Sequence, residues 1–315
     1  IKEHFGNQAL QKWDDKKAVA RDPKTLEKYR TMLADQIQYF KVTQYFFFKQ
    51  WGELKDYANQ KGIKIIGDMP IYVAADSVEV WTKPELFQLD KERNPFFVAG
   101  VPADQFSATG QLWGNPLYAW KEHKKQGYAW WIHRIEESFK IYDVLRIDHF
   151  KGFSDYWQVD GKADIAKYGS WQPGPGYDLF KAVKEQLGDL PIIAEDLGNI
   201  DDKARKLLAD CNYPGMKILQ FGFEDVSGKS LDSPHYCIPH SIVYTGTHDN
   251  DVTNGWYNGL TEQQQQYIND YTHRSEDESI CQAMIRQLFA TVSNTAIATM
   301  QDVLDLPASS RMNVP

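Results

Sequence analysis

The sequence predicts an α/β fold whose strands run parallel. Short apolar runs at 63–67, 144–147, 192–194, 216–220, 242–245 and 295–303 alternate with segments of helical periodicity, the pattern of βαβ units. Three of these runs lead into acidic signatures: RIDHF (146–150), AEDLG (194–198) and GTHDN (246–250). Each signature puts a carboxylate where a buried strand gives way to a loop. That strand end carries the sites of open-sheet and barrel α/β proteins alike. About six strands suit either architecture, and the pattern alone does not choose between them.

The elements follow in order. The first 60 residues read as helix. Asp22 before Pro23 is a start signal, with proline at the first helical position. Phe47, Trp51, Leu54 and Ala58 then fall on one apolar face, and Gly62 is placed to end the helix. IKIIG (63–67) predicts a buried strand reaching Asp68. Residues 69–120 are rich in Pro, Gly and aromatics and show little periodicity, which predicts a packed loop over a pocket. Helices are expected at 130–140, 179–187 and 203–210, each leading into a strand. Thr261 with Gln264 resembles a capping box opening a polar helix, and another helix is expected at 279–291. A last strand at 295–303 would reach Asp302. In domain terms, 1–62 is expected to be a helical segment and 63–315 a strand-bearing unit with a long loop insertion at 69–120.

Composition narrows the function classes. At 315 residues and 42% hydrophobic the chain can bury a large core. A net charge of −8 argues against a nucleic-acid partner, and no apolar run approaches membrane-spanning length. Cys211, Cys237 and Cys281, odd in number and widely spaced, fit free thiols in a reducing cytoplasm. Neither GxGxxG nor GxxxxGK[ST] is present, and no cofactor is implied. The chain has 10 tryptophans. Trp113, Trp120, Trp130, Trp131 and Trp157 lie in or beside Gly- and Pro-containing segments. Flat rings in loops suit the apolar faces of sugars, although core packing uses the same residues.

The carboxylates suggest a chemistry. Cleaving a glycosidic bond with retention needs two carboxyl groups about 5–5.5 Å apart, one a nucleophile and the other an acid and then a base. Arg146 shares a strand face with Asp148 and can aim it, as a nucleophile requires. Glu195 follows an apolar run, where desolvation would suit it to the acid role. Asp249 stands between His248 and Asn250, a polar cluster able to hold sugar hydroxyls. Structural roles compete with each assignment. Asp196 reads as a cap, Arg146–Asp148 as a structural ion pair, and His149 and His248 as core histidines. The carboxylates lack the loop spacing of an EF-hand, so no metal site is expected.

GDMPIYVAADSVEVW (67–81), VAGVPADQFSATGQLWGNPLYAW (98–120), RIDHFKGF (146–153), IIAEDLGNI (192–200), PGMKILQFGF (214–223) and VYTGTHDND (243–251) resemble the 4-α-glucanotransferases, or amylomaltases. The likeness runs from about Gln38 to the C-terminus. It implies a (β/α)₈ TIM-type barrel of the α-amylase-like kind that moves α-1,4-glucan segments between malto-oligosaccharides, with no cofactor. Asp148 matches the nucleophile, Glu195 the acid/base and Asp249 the transition-state stabiliser. The resemblance also implies substrate contacts at Asp68, Tyr72, Asp104, Phe106, Trp113, Asn115, Arg146, His149, His248 and Asn250. A retaining α-glucosidase and a non-catalytic α-glucan-binding fragment are the alternatives. Ala103 stands where the family usually has a second proline. The family's first two strands have no counterpart before Ile1 and the chain stops at RMNVP, so the sequence reads as an internal piece of a longer protein.

Overall fold

The computed structural model describes residues 1–103, 107–198 and 200–313. The chain divides into two units, one of residues 1–192 and 200–211, the other of residues 193–199 and 212–315.

The first unit opens with an aromatic cluster. Phe5 stacks on Trp13 with ring centroids 4.6 Å apart, and Trp13 meets Trp81 edge-on at 5.7 Å. The predicted start signal works as expected. Asp22 accepts the Thr25 N–H at 2.9 Å and Pro23 opens the helix Pro23–Met32. The next helix, Ala34–Gln60, departs from expectation, because none of its residues is buried. Phe47 and Leu54 of the expected inner face are exposed. Polar contacts fasten the helix instead: Trp51 Nε1 donates to the Ile141 carbonyl at 2.8 Å, and Lys55 Nζ to the Tyr142 carbonyl at 2.9 Å.

Strand β1 (Ile66–Met69) begins three residues later than IKIIG suggests and contains Asp68. The 69–120 stretch holds two strands, β2 (Phe97–Val101) and β3 (Gln111–Pro116). After β4 (Val144–Ile147), the strands β5 (Asp155–Asp160) and β6 (Gly169–Pro173) complete a four-stranded antiparallel sheet of order β3-β2-β5-β6. Trp157 faces Trp171 across it, centroids 5.2 Å apart. This sheet escapes sequence reading because its stability comes from distant backbone pairing, while β3 and β6 carry Gly, Pro and Gln in place of an apolar alternation.

β1 and β4 pair in parallel, with Asp68 opposite Arg146 and Met69 opposite Ile147. Leu145 N–H donates to the Pro191 carbonyl, so the chain about to enter β7 (Ile192–Ala194) runs beside β4. Four of the five tryptophans read as loop rings are not sugar-facing platforms. Trp131 is fully buried and packs with Trp120 and Phe153, and Trp130 with Tyr118. Trp157 is tied inward by Nε1 donating to the Ala166 carbonyl at 2.7 Å. Of the five, Trp113 is exposed, at 37%.

The second unit holds β8 (Gly215–Ile218), β9 (Ser241–Tyr244) and β10 (Thr295–Ile297), all parallel in the order β10-β9-β8. β9 is central and buried at every position. Its Val243 joins Leu219, Phe223, Ile268, Met284 and Leu288 in a core closed by the helices Glu262–Thr272 and Ile280–Phe289. The capping box of Thr261 and Gln264 is present, and Ser279 with Gln282 forms a second. β10 stops at Ile297 rather than running to 303, because Thr299 caps a short helix, Met300–Val303, that carries Asp302. β8 likewise ends at Ile218, where the helix Leu219–Glu224 begins.

His123 is 1% exposed among Tyr118, Trp120 and Trp130. Its Nε2 meets the Leu86 carbonyl at 3.1 Å, while Nδ1 has no partner among the described residues. Burial pushes its pKa down to about 4, since a second N–H and a charge would have no acceptor there. The unfolded chain binds this proton below about pH 6.5, the folded chain only below about 4. Between those values stability falls as pH falls, by about 1.4 kcal/mol per pH unit from this group. His123→Gln keeps a donor for Leu86 and cannot titrate. Its denaturation free energy should fall less steeply between pH 6.5 and 4 than that of the wild type, and identical slopes would refute this account.

Candidate active site

In the first unit the site grows from the β1–β4 register. Arg146 and Asp68 lie opposite each other, and Asp148 follows two residues after Arg146, just past the end of β4. Arg146 Nη1 donates to both Asp68 oxygens, at 2.7 and 2.8 Å, and to Asp148 Oδ1 at 3.0 Å. The guanidinium side chain is 8% exposed while both carboxylates are 40% exposed. The cation is therefore the buried floor, and the carboxylates are presented outward. Asp148 N–H also donates to the Met69 carbonyl at 3.0 Å, which fixes the backbone beneath the side chain.

A cleft of about 360 Å³ opens above, lined by Pro70, Ile71, Tyr72, Trp113, Asn115 and Asp148. Tyr72 lies 6.2 Å from Trp113 and stacks on Tyr118, and burial raises its phenol pKa. Trp113 meets His149 edge-on at 4.8 Å. Burial, and to a lesser degree Lys151, pushes the His149 imidazole down to about 4, so the ring is neutral at pH 7. Asn115 uses Nδ2 to hold the Val73 carbonyl at 2.9 Å. Seven predicted residues thus gather in this unit: Asp68, Tyr72, Trp113, Asn115, Arg146, Asp148 and His149. Asp104 and Phe106 lie outside the described residues. A larger hollow of about 620 Å³, between His4 and Tyr29, contains none of the predicted residues. The acidic group His133, Glu136 and Glu137, on the helix Ala129–Ile141, contains none either.

Sequence reasoning missed the supports of this cleft. Arg134 donates to the carbonyls of Pro70 at 2.7 Å and Ile71 at 3.1 Å, and its guanidinium packs over Trp130 and Trp131. Tyr118 donates its hydroxyl to the Ile71 carbonyl at 2.7 Å. The only signal was Trp130, Trp131 and Arg134 at helical spacing. Lys151 bonds Asp155 at 3.2 Å and Asp201 at 2.7 Å, tying down the turn that bears His149.

In the second unit Glu195 is half-buried at the end of β7 and accepts the Leu197 N–H at 2.8 Å. Its neighbour Asp196 is no helix cap. Its carboxylate reaches into the sheet and accepts the Met216 N–H at 2.6 Å, and burial raises its pKa. His248 and Asp249 are exposed, with His248 Nε2 3.5 Å from Asp249 Oδ2, so His248 is not a core histidine. Asn250 turns its Oδ1 inward to Thr247 N at 2.9 Å and Thr247 Oγ1 at 3.0 Å, which shapes the turn.

Two buried side chains close this turn, Asp302, expected only as a strand end, and Gln220. Asp302 accepts from Thr245 Oγ1 at 2.6 Å and Thr253 N at 2.8 Å, joining the end of β9 to the next helix. Gln220 donates to the Asp251 carbonyl at 2.9 Å. Asp196 reaches Met216 only because residue 215 is glycine, where a Cβ would overlap the Asp196 carboxylate. Gly215→Ala should therefore destabilise the chain by about 1–3 kcal/mol in chemical denaturation. A midpoint equal to the wild type would show that Asp196 is not held there.

The model of the 4-alpha-glucanotransferase family matches residues 1–315. The 4-alpha-glucanotransferase of Streptococcus pneumoniae serotype 4 is 52% identical over 316 residues, covering 100% of this chain and 62% of that protein. That of Clostridium butyricum is 46% identical over 299 residues, covering 94% and 61%. Among solved structures, the amylomaltase from Streptococcus agalactiae in complex with acarbose is 59% identical with a TM-score of 0.98, covering 100% of this chain and 64% of that one. This likeness bears out the TIM-type barrel class that the resemblance implied. The chain spans about three fifths of the length of these relatives. The chain belongs to the 4-alpha-glucanotransferase family.

Proposed function

We propose that this chain carries the machinery for retaining transfer of α-1,4-glucan segments from a donor malto-oligosaccharide to the 4-hydroxyl of an acceptor. The observation that carries the reading is the buried Arg146 fork, which presents Asp148 at the mouth of a cleft containing an exposed tryptophan. Membership of the family supports the same substrate class, and the acarbose complex of the solved relative supports a ligand of that kind.

Asp148 attacks the anomeric carbon while the glycosidic bond breaks, and Glu195 gives its proton to the departing 4-oxygen. Glu195 then takes the proton of the acceptor's 4-hydroxyl. That oxygen bonds to the anomeric carbon and releases Asp148, which restores both carboxyl groups. The reading requires the two carboxyls to work about 5–5.5 Å apart. Asp249 stabilises the positive charge that builds at the anomeric centre. Asp68 and Arg146 aim the nucleophile. The family resemblance assigns sugar contacts to Tyr72, Trp113, Asn115, His149, His248 and Asn250, and to Asp104 and Phe106. Neutral His149 serves there as a hydrogen-bonding group rather than a charge. No step uses a metal or cofactor, and a net charge of −8 does not favour nucleic acid. Among the described residues no helix is long and apolar enough to cross a membrane. The free thiols support a reducing, cytoplasmic setting.

Incubation with maltotriose, followed by separation of products by chain length, tests the reading. Maltotetraose and longer chains together with glucose or maltose are expected, and Asp148→Asn should abolish them. Glucose and maltose without longer products would make the chain a hydrolase. Bound but unaltered maltotriose would leave a binding fragment. Trp113 stacks the acceptor and excludes water, so Trp113→Ala should raise the hydrolysis-to-transfer ratio; an unchanged ratio removes Trp113 from that role.

A further inference from the structure

The turn 246–252, which carries Asp249, is pinned at its ends by buried side chains, Asp302 at Thr245 and Thr253 and Gln220 at Asp251. A Cβ at Gly246 would stand 2.8 Å from Gln220 Nε2, so the chain passes close against this amide. The tip of the turn projects beyond these anchors, and its main-chain carbonyls are reached from residues 311–313. Arg311 Nη2 donates to the Asp249 carbonyl at 2.9 Å, and Asn313 Nδ2 to the His248 carbonyl at 2.8 Å. Asp249 N–H meanwhile donates to Thr247 Oγ1 at 3.2 Å. Both main-chain groups of Asp249 are therefore fixed while its side chain stays exposed.

Arg311 is not explained by packing. Its Nε is buried without a hydrogen-bond partner among the described residues, and an apolar side chain would fill the space without that cost. The donor it directs at the Asp249 carbonyl is a feature no apolar side chain supplies. We infer that Arg311 is a positioning residue for Asp249, acting through the main chain of the turn and not on the sugar. This role rests on the proposed part of Asp249 in glucan transfer. A carboxylate that must meet charge developing at one atom is sensitive to its own placement, since a shift of about 1 Å can cost about 100-fold in rate.

Two measurements on the whole chain test this, with Arg311→Met, which keeps length without a donor, and Arg311→Lys, which keeps one. In Arg311→Met, amide hydrogen exchange across 246–252 should accelerate about 10-fold or more, and Arg311→Lys should restore part of the protection. The transfer kcat of Arg311→Met should fall about 10- to 100-fold, with KM moving less than about threefold. On an Asp249→Asn background the same substitution should add no further loss. Unchanged exchange, an unchanged kcat, or a full multiplicative loss on Asp249→Asn would each overturn the role. Wild-type transfer by Asp249→Asn would instead overturn the reading of the site, and this role with it.

Discussion

One nitrogen of Arg146 lies within 3.0 Å of oxygens from both Asp68 and Asp148, on strands that pair in parallel. A guanidinium taken out of water is tolerated only where acceptors surround it, and two carboxylates at one strand register provide them. The register therefore has to hold. A slip of β1 by one residue would turn Asp68 to the opposite face and take both of its hydrogen bonds from the buried cation. The position of Asp148 is thus a consequence of sheet pairing, and the cleft above it inherits that rigidity.

The remaining supports repeat one device, in which a buried or half-buried polar side chain holds the main chain of a loop beside the candidate residues. Arg134 and Tyr118 hold the carbonyls of 70–71, with the Arg134 guanidinium packed over Trp130 and Trp131 and the Tyr118 bond buried. In the second unit Asp196 holds Met216, while Gln220 and Asp302 close the turn of Asp249. Such bonds are stronger away from water and costly to break, so they define loop geometry better than surface contacts do. Three of the groups expected to meet substrate, Trp113, His248 and Asp249, keep exposed side chains beside this bracing.

Much of this was legible beforehand. The presence of strands at β1, β4, β7, β8, β9 and β10, the Asp22–Pro23 start, the Thr261 capping box and the pairing of Arg146 with Asp148 all follow from local pattern, because each depends on residues a few positions apart. The antiparallel sheet was not legible, since β3 and β6 lack an apolar alternation and β2 meets β5 only across a long intervening stretch of chain. The Ala34–Gln60 helix was legible as a helix, but periodicity alone overstated the burial of its apolar face.

The sequence by itself determined the family, the order of strands and which carboxylates end them, because strand period and short motifs are properties of adjacent residues. Only the tertiary structure decided what each polar side chain is used for. Asp196 became a sheet anchor rather than a cap, Asn250 a turn former, Asp302 a buried staple and Trp131 core rather than platform. The reason is physical. A polar side chain's role is set by which donor or acceptor burial leaves within 3 Å of it, and that neighbour is usually far away in sequence.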